Sequence, residues 1–192
     1  MRKIIVSNNV TLDGFFAGPN GELDWKVWDE DIAQYAKDQI ASTDTILFGR
    51  VTYELMSSYW PTPAAATSQD PAIAAFMNNS HKIVFSKTLA QADRKNIEVV
   101  KEINPKEILK MEQNLGKDMI VFGSGSVVSA LAQHGLIDDY QIFVTPVVLG
   151  RGKPLFEGIM VRMNLKLLRT KRFNNGVVLL HYIPADKKEV SK

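Results

Sequence analysis

The stretch from Met119 to Leu131 constrains this chain more than any other. Met119 to Phe122 is a short apolar run that predicts a buried strand. It breaks at Gly123-Ser124-Gly125-Ser126 and resumes with Val127, Val128 and Leu131, apolar at helical spacing. Strand, glycine turn and helix in that order aim backbone N–H groups and the positive end of a helix at an anion. Glycines let a phosphate approach the backbone closely, and serines add hydroxyl donors. Two readings follow: a phosphate-bearing cofactor on the turn, or a tight turn that needs only small residues. Val128 replaces the third glycine of a G-x-G-x-x-G fingerprint, the motif comes late, and no acidic residue closes a following strand. A classical dinucleotide-binding fold is therefore disfavoured.

A second junction of this kind lies earlier. Thr45 to Phe48 predicts a strand, Gly49-Arg50-Val51-Thr52 ends it, and a helix starts at Tyr53. Further strands are predicted at Lys3–Ser7, Lys82–Ser86, Ile97–Val100 and Tyr140–Leu149, the last holding Pro146. Asp29 caps a predicted helix to about Ala41, with Ile32, Tyr35, Ala36 and Ile40 on its buried face. Pro71 after Asp70 opens another, and Asn104 with Pro105 opens one that runs to Leu115. Asn8 to Trp25 reads as a long functional loop, or as a hairpin on Asn20-Gly21. Trp60 to Pro71 holds Pro61, Pro63 and Pro71 and predicts no regular element. Asn174-Asn175-Gly176 between the apolar runs Leu165–Phe173 and Val177–Ile183 predicts a β-hairpin.

Strands that alternate with helices and finish in antiparallel pairs predict one α/β domain over residues 1–184. It has a mainly parallel central sheet flanked by helices and a C-terminal antiparallel hairpin, and 185–192 reads as a flexible tail. In such a sheet the glycine junctions meet at the carboxyl edge, where ligands bind.

Composition removes several function classes. The 192 residues are 45% hydrophobic and 23% charged, which suits one globular domain with a sizeable core. A net charge of +2 is too small to argue for nucleic acid or an anionic membrane surface. The absence of cysteine excludes disulfides and thiolate chemistry. No apolar run approaches the roughly 18 residues of a membrane span, and Asn8 and Asn9 end the N-terminal apolar run too early for a signal peptide. A cytoplasmic protein is expected. His81, His134 and His181 are scattered without ligand spacing, so no metal site is expected.

Thr11-Leu12-Asp13-Gly14, Ile46-Leu47-Phe48-Gly49-Arg50-Val51-Thr52 and Val121-Phe122-Gly123-Ser124-Gly125-Ser126 together resemble the dihydrofolate-reductase-like superfamily. Thr145-Pro146-Val147-Val148-Leu149-Gly150-Arg151-Gly152 is similar to one branch, the C-terminal reductase domain of the bifunctional riboflavin-biosynthesis deaminase/reductase. The resemblance runs from about Lys3 to Ile183. It implies a dihydrofolate-reductase-like fold and an NADPH-dependent reductase of a small heterocycle, either a pterin or a riboflavin-pathway aminopyrimidine ribose phosphate. A chain without cysteine carries no zinc site of the deaminase half.

The same resemblance assigns residues. Gly49, Arg50 and Thr52 match the junction that meets phosphate, with Arg50 on the 2′-phosphate, a group that suits a guanidinium fork. Ser86 matches the adenine side, and Gly123, Ser124, Gly125, Ser126 and Val127 match the pyrophosphate loop. The family carries two adjacent glycines there, often joined by a cis peptide, where this chain has Gly123-Ser124. Reduction of a C=N bond also needs a proton. The family draws on a first-helix carboxylate, and Asp31 is the candidate catalytic residue within Asp29-Glu30-Asp31, a cluster that also suits a helix dipole. Trp25 as a wall and Arg151 on a substrate phosphate are the candidate substrate-binding residues; they also read as a core aromatic and a basic surface loop. Trp60–Pro71 is expected to act as a lid or a dimer contact. A homodimer is expected through the region of Leu149, Leu155, Phe156 and Ile159. The competing function class is a non-catalytic nucleotide-binding or regulatory module on the same fold, which turnover separates from a reductase.

Overall fold

In chain order the elements are β1 (Ile4–Thr11), β2 (Phe15–Ala17), α1 (Glu30–Ala41), β3 (Thr43–Gly49), α2 (Arg50–Tyr59), α3 (Pro63–Ser68), α4 (Pro71–Asn79), β4 (His81–Phe85) and β5 (Ile97–Val100). They continue with α5 (Pro105–Gln113), β6 (Asp118–Val121), α6 (Gly125–Gln133), β7 (Asp139–Thr145), β8 (Lys153–Pro154), β9 (Leu165–Arg172) and β10 (Val178–Pro184). The computed structural model describes residues 1–89 and 95–186.

Eight strands form one sheet in the order β5-β4-β3-β6-β1-β7-β10-β9. The pairs from β5 to β7 are all parallel, and β10 runs antiparallel to both β7 and β9. The crossover helices return to a parallel sheet only by covering its faces, so central strands are buried on both sides. Alternation in β1 sends Ile4, Val6 and Val10 to one face, where they pack with Val127, Val128 and Leu131 of α6 and Ile108 of α5. Ile5 points the other way and joins Ile40 of α1 and Ile73 and Met77 of α4. A third cluster, Ile32, Phe143, Phe173, Val177 and Leu179, seats the start of α1 on the hairpin side of the sheet. The sheet is thus mainly parallel, covered by helices on both faces, with the antiparallel hairpin at its C-terminal end, as expected.

Local signals explain most boundaries. The Asp29 carboxylate accepts from Ile32 N–H, and Asp70 and Asn104 cap α4 and α5 ahead of Pro71 and Pro105. Gly176 has φ 88 and closes the β9–β10 turn, where the Phe173 N–H donates to the Val177 carbonyl.

Several expectations change. β1 runs four residues further than Ser7, because Asn8–Thr11 pair with Ile142–Thr145. Asn20-Gly21 closes no hairpin. The Gly21 N–H returns to the Gly18 carbonyl, and β2 pairs instead with β8 in a separate two-stranded sheet. α2 starts at Arg50, not Tyr53. The proline-rich stretch is not wholly irregular: Pro63 is a first helical residue of α3, and the Thr62 hydroxyl accepts from Ala65 N–H. α5 ends at Gln113, short of Leu115. β7 stops at Thr145, before Pro146, which has no N–H to continue the ladder. Of the expected tail, residues 187–192 lie outside the described residues, while the Ala185 N–H donates to the Asn164 carbonyl.

Candidate functional site

Parallel strands bring all their C-terminal ends to one edge, so the segments after β1, β3, β4, β6 and β7 share it. β3 and β6 are neighbours in the sheet, and their two glycine junctions touch. A Cβ on Gly49 would stand 3.2 Å from Ser124 Oγ, and a Cβ on Gly123 would stand 3.2 Å from the Thr52 methyl. Gly123 has φ 71, which favours glycine. Ser124 follows at φ 58 and ψ 70 and is the N-terminal cap residue of α6. The described peptide bonds are all trans.

Hydrogen bonds stitch the two junctions together. The Gly49 N–H donates to Ser124 Oγ at 2.7 Å, and Ser124 Oγ donates to Thr52 Oγ1 at 2.8 Å. From the other side, the Gly123 N–H donates to Asn8 Oδ1 at 2.9 Å. That contact fixes which way the Asn8 amide points, and it leaves Asn8 Nδ2 buried with no partner. An orphaned buried donor costs about 1–3 kcal/mol, and this one lies at the turn where the two junctions meet.

The helix ends carry the electrostatics. α1, α3, α4 and α5 each have a side chain that caps the first turn. α2 and α6 have none. Val127 N–H returns to the Ser124 carbonyl, while Gly125, the first residue of α6, is buried and Ser126 is exposed. Arg50 stands on the first turn of α2, and its Nη1 donates to both carboxylate oxygens of Glu54 at 2.9 and 2.8 Å. Ser86 follows β4 at the same edge, buried, with its Oγ accepting from Thr88 and Leu89 N–H. Gly49, Arg50, Thr52, Gly123, Ser124, Gly125, Ser126 and Val127 therefore converge. Ser86 lies one strand further along.

The small β2–β8 sheet leans on this cradle. A Cβ on Gly125 would stand 2.7 Å from Phe16 Cε1 and 3.3 Å from the Pro154 carbonyl oxygen. Asp13 sets the position of the loop that leads to β8. Its carboxylate accepts from Thr11 Oγ1 at 2.6 Å, Gly150 N–H at 2.7 Å and Leu149 N–H at 3.3 Å. The Thr11 bond, together with those N–H groups, holds its pKa below the usual carboxylate value. The offset of 137 residues between Asp13 and Gly150 hides this contact from the sequence. Arg151 stands exposed on the same loop.

The other candidates lie elsewhere. Asp31 accepts from Lys171 Nζ at 2.9 Å, which turns it toward β9. Four strand spacings separate β9 from β6, about 19 Å at ~4.8 Å each. Asp29 is spent on capping α1 and on a 2.7 Å bond from Asn175 Nδ2. Trp25 is half-buried, and its indole N–H is buried without a partner. Of the residues of the expected dimer region, Leu155 is buried in the core and Ile159 packs against it, whereas Phe156 is exposed. A broad groove lies at the opposite, amino edge, lined by Thr43, Asp44, Phe76, His81 and Lys117, whose Nζ donates to the Ala41 carbonyl. No helix among the described residues is long and apolar enough to cross a membrane.

Known proteins resemble this chain in sequence and in fold. The chain is 37% identical over 185 residues to the Bacillus subtilis (strain 168) protein YyaP, a match that covers 94% of each chain. Its fold is similar to a pyrimidine reductase-like protein from Corynebacterium diphtheriae, with a TM-score of 0.65 and 15% identity over 97% of this chain and 93% of that one. It is equally similar to a dihydrofolate reductase from Enterococcus faecalis complexed with NADP(H), with a TM-score of 0.65 and 16% identity over 96% and 97% of the two chains. At these identities the structures establish a dihydrofolate-reductase-like fold. The model of the RibD C-terminal domain matches residues 2–179, and the chain belongs to that family.

Proposed function

We propose that this protein is an NADPH-dependent reductase of a small heterocycle. One observation carries the reading: the two helices without a capping side chain, α2 and α6, are the two whose N-termini touch at the carboxyl edge. Free N–H groups and two positive helix ends side by side suit a ligand with several phosphates. Family membership and the likeness to an NADP(H)-bound dihydrofolate reductase support NADPH as the ligand.

The residues fit such a cofactor. The Gly125 and Ser126 N–H groups and the exposed Ser126 hydroxyl hold the pyrophosphate. Thr52 holds a phosphate at the neighbouring helix end. Arg50 takes the 2′-phosphate, sharing its guanidinium with Glu54, and Ser86 borders the adenine. When bound, NADPH supplies the hydride. The protein orients it and keeps water out, with Phe16 and the rest of the β2–β8 sheet over the start of α6. Arg151 meets a phosphate on the substrate, an aminopyrimidine ribose phosphate or, in a phosphate-free variant of the reading, a pterin. Asp31, paired to Lys171, holds α1 to the hairpin. That pairing favours one alternative, a nucleotide-binding module without turnover.

Calorimetric titration with NADPH and NADH tests the proposal. NADPH is expected to bind at least about tenfold more tightly, the scale of one charge-assisted contact. Arg50→Ala removes most of that preference. A folded protein that binds neither nucleotide overturns the reading, and binding without turnover of any aminopyrimidine or pterin moves it to the alternative.

A further inference from the structure

Among the described residues Ser124 is the only non-glycine residue with a positive φ. An L side chain adopts that conformation at a cost, and glycine does not. A turn that needed only its backbone shape would be better served by glycine. The hydroxyl accounts for the serine. Ser124 is buried, its Oγ accepts from Gly49 N–H at 2.7 Å, and it donates to Thr52 Oγ1 at 2.8 Å, both on the other junction.

A hydroxyl carries one proton, and that of Ser124 is committed to Thr52. Thr52 Oγ1 is the acceptor in this bond, so its own proton remains to be donated. Thr52 is half-buried on the first turn of α2, at the end that lacks a cap. We propose that Ser124 is a positioning residue for the phosphate-bearing ligand. It locks the N-termini of α2 and α6 into one cradle and turns the Thr52 hydroxyl proton toward the phosphate. The donors then run in one direction, from Gly49 N–H through Ser124 and Thr52 to a phosphate oxygen, and each bond polarises the next. Asn8 supports the same turn independently. Its Oδ1 holds Gly123 N–H, and its buried, unpartnered Nδ2 sits beside it. The inference rests on the cofactor reading above.

Calorimetric titration with NADPH, with a melting temperature for each protein, compares the wild type, Ser124→Gly, Thr52→Val, the double variant and Thr52→Ser. Ser124→Gly relieves the backbone and removes the hydroxymethyl side chain, and with it the hydroxyl. It is expected to stay folded and to lose about tenfold in affinity, as is Thr52→Val. The double variant loses no more than about twofold beyond Thr52→Val, because the serine acts through the threonine. Thr52→Ser keeps the hydroxyl and stays within about twofold of the wild type. Unchanged affinity in Ser124→Gly, or losses that multiply in the double variant, overturn the role of Ser124 alone. Thr52→Val at wild-type affinity does so even where Ser124→Gly does not fold. A wild type that binds no NADPH overturns the cofactor reading and this inference with it.

Discussion

Gly152→Ala asks whether the small β2–β8 sheet governs the cradle it covers. A Cβ at position 152 would stand 2.5 Å from the Ala17 carbonyl oxygen and 2.9 Å from Phe15 Cγ, where ordinary contact begins at 3.4 Å. The backbone of β2 must therefore retreat by about 0.9 Å, the difference between 3.4 and 2.5 Å. It has little room to do so. Ala17 is buried, and Phe16 already lies against the first residue of α6. Overpacking of this kind costs about 1–3 kcal/mol. With a urea slope of about 2 kcal/mol per molar, a loss of about 2 kcal/mol lowers the midpoint by about 1 M. Displacing Phe16 also disturbs Gly125, so NADPH affinity is expected to fall by about tenfold, within the range that misplacement of about 1 Å produces at a site. Gly150→Ala is the control: its Cβ would meet nothing within 4 Å, and only its φ of 73 is unfavourable. It should cost about 1 kcal/mol and leave the cofactor affinity unchanged. An unchanged midpoint in Gly152→Ala refutes the steric argument. A lowered midpoint with unchanged NADPH affinity refutes the coupling from β2 to α6.

Two further outcomes are expected. Burial of Tyr140, aided by Asp138, pushes its phenol up from 10.0 to about 12, so the folded state holds a proton that the unfolded chain loses. Its contribution is fully present below pH ~10 and is lost as the pH rises toward ~12, about 3 kcal/mol in all. Urea midpoints from pH 8 to 11 should fall more steeply for the wild type than for Tyr140→Phe, and parallel curves would remove Tyr140 as the cause. Self-association is expected through the exposed apolar residues Val148, Phe156, Met160 and Val161 and the leucines of β9; a monomer mass by light scattering at micromolar concentration would refute it.

The legible parts of the fold are those whose signals are local. The Asp29, Asp70 and Asn104 caps, the Asn175-Gly176 turn and both glycine junctions are short-range patterns, and each marks the element it was read from. Within Trp60–Pro71 three prolines mask a short helix, because the Thr62 cap ahead of Pro63 is a weaker signal than the Asp70 cap ahead of Pro71. At a first helical position Pro63 loses no hydrogen bond. Asn8 is polar and follows an apolar run, which suggests a loop, yet it lies inside β1 and is 3% exposed. Residue types and spacing were enough to predict that the two glycine junctions meet at one sheet edge, and the Gly49–Ser124 bond joins them there. Those signals said nothing of what holds the junctions together, since Asn8 and Gly123 are 115 residues apart and Ser124 and Thr52 are 72 apart.

The α1 face shows the same limit in a larger network. Ser7, Gln141, His181 and Arg169 stand in register across β1, β7, β10 and β9. Ser7 Oγ donates to Gln39 Oε1 at 3.1 Å, and Gln39 Nε2 donates to Gln141 Oε1 at 2.7 Å. Tyr35 OH donates to the same oxygen at 2.6 Å, Arg169 Nε donates to His181 Nδ1 at 3.1 Å, and His181 Nε2 lies 2.6 Å from Asp139 Oδ1. A period-two reading sends polar strand residues to solvent, whereas Ser7, Gln141 and His181 are buried against a helix that was expected to offer only Ile32, Tyr35, Ala36 and Ile40. Each polar group alone would be costly there. Together they face one another, with His181 Nε2 close to the Asp139 carboxylate but without an aligned hydrogen bond, and a slip of one residue in any strand would orphan several at once. The row therefore adds to apolar packing in selecting the register of β7 and β10 against β1. That register holds Thr145 beside Thr11, and so brings the Gly150–Gly152 loop within reach of Asp13.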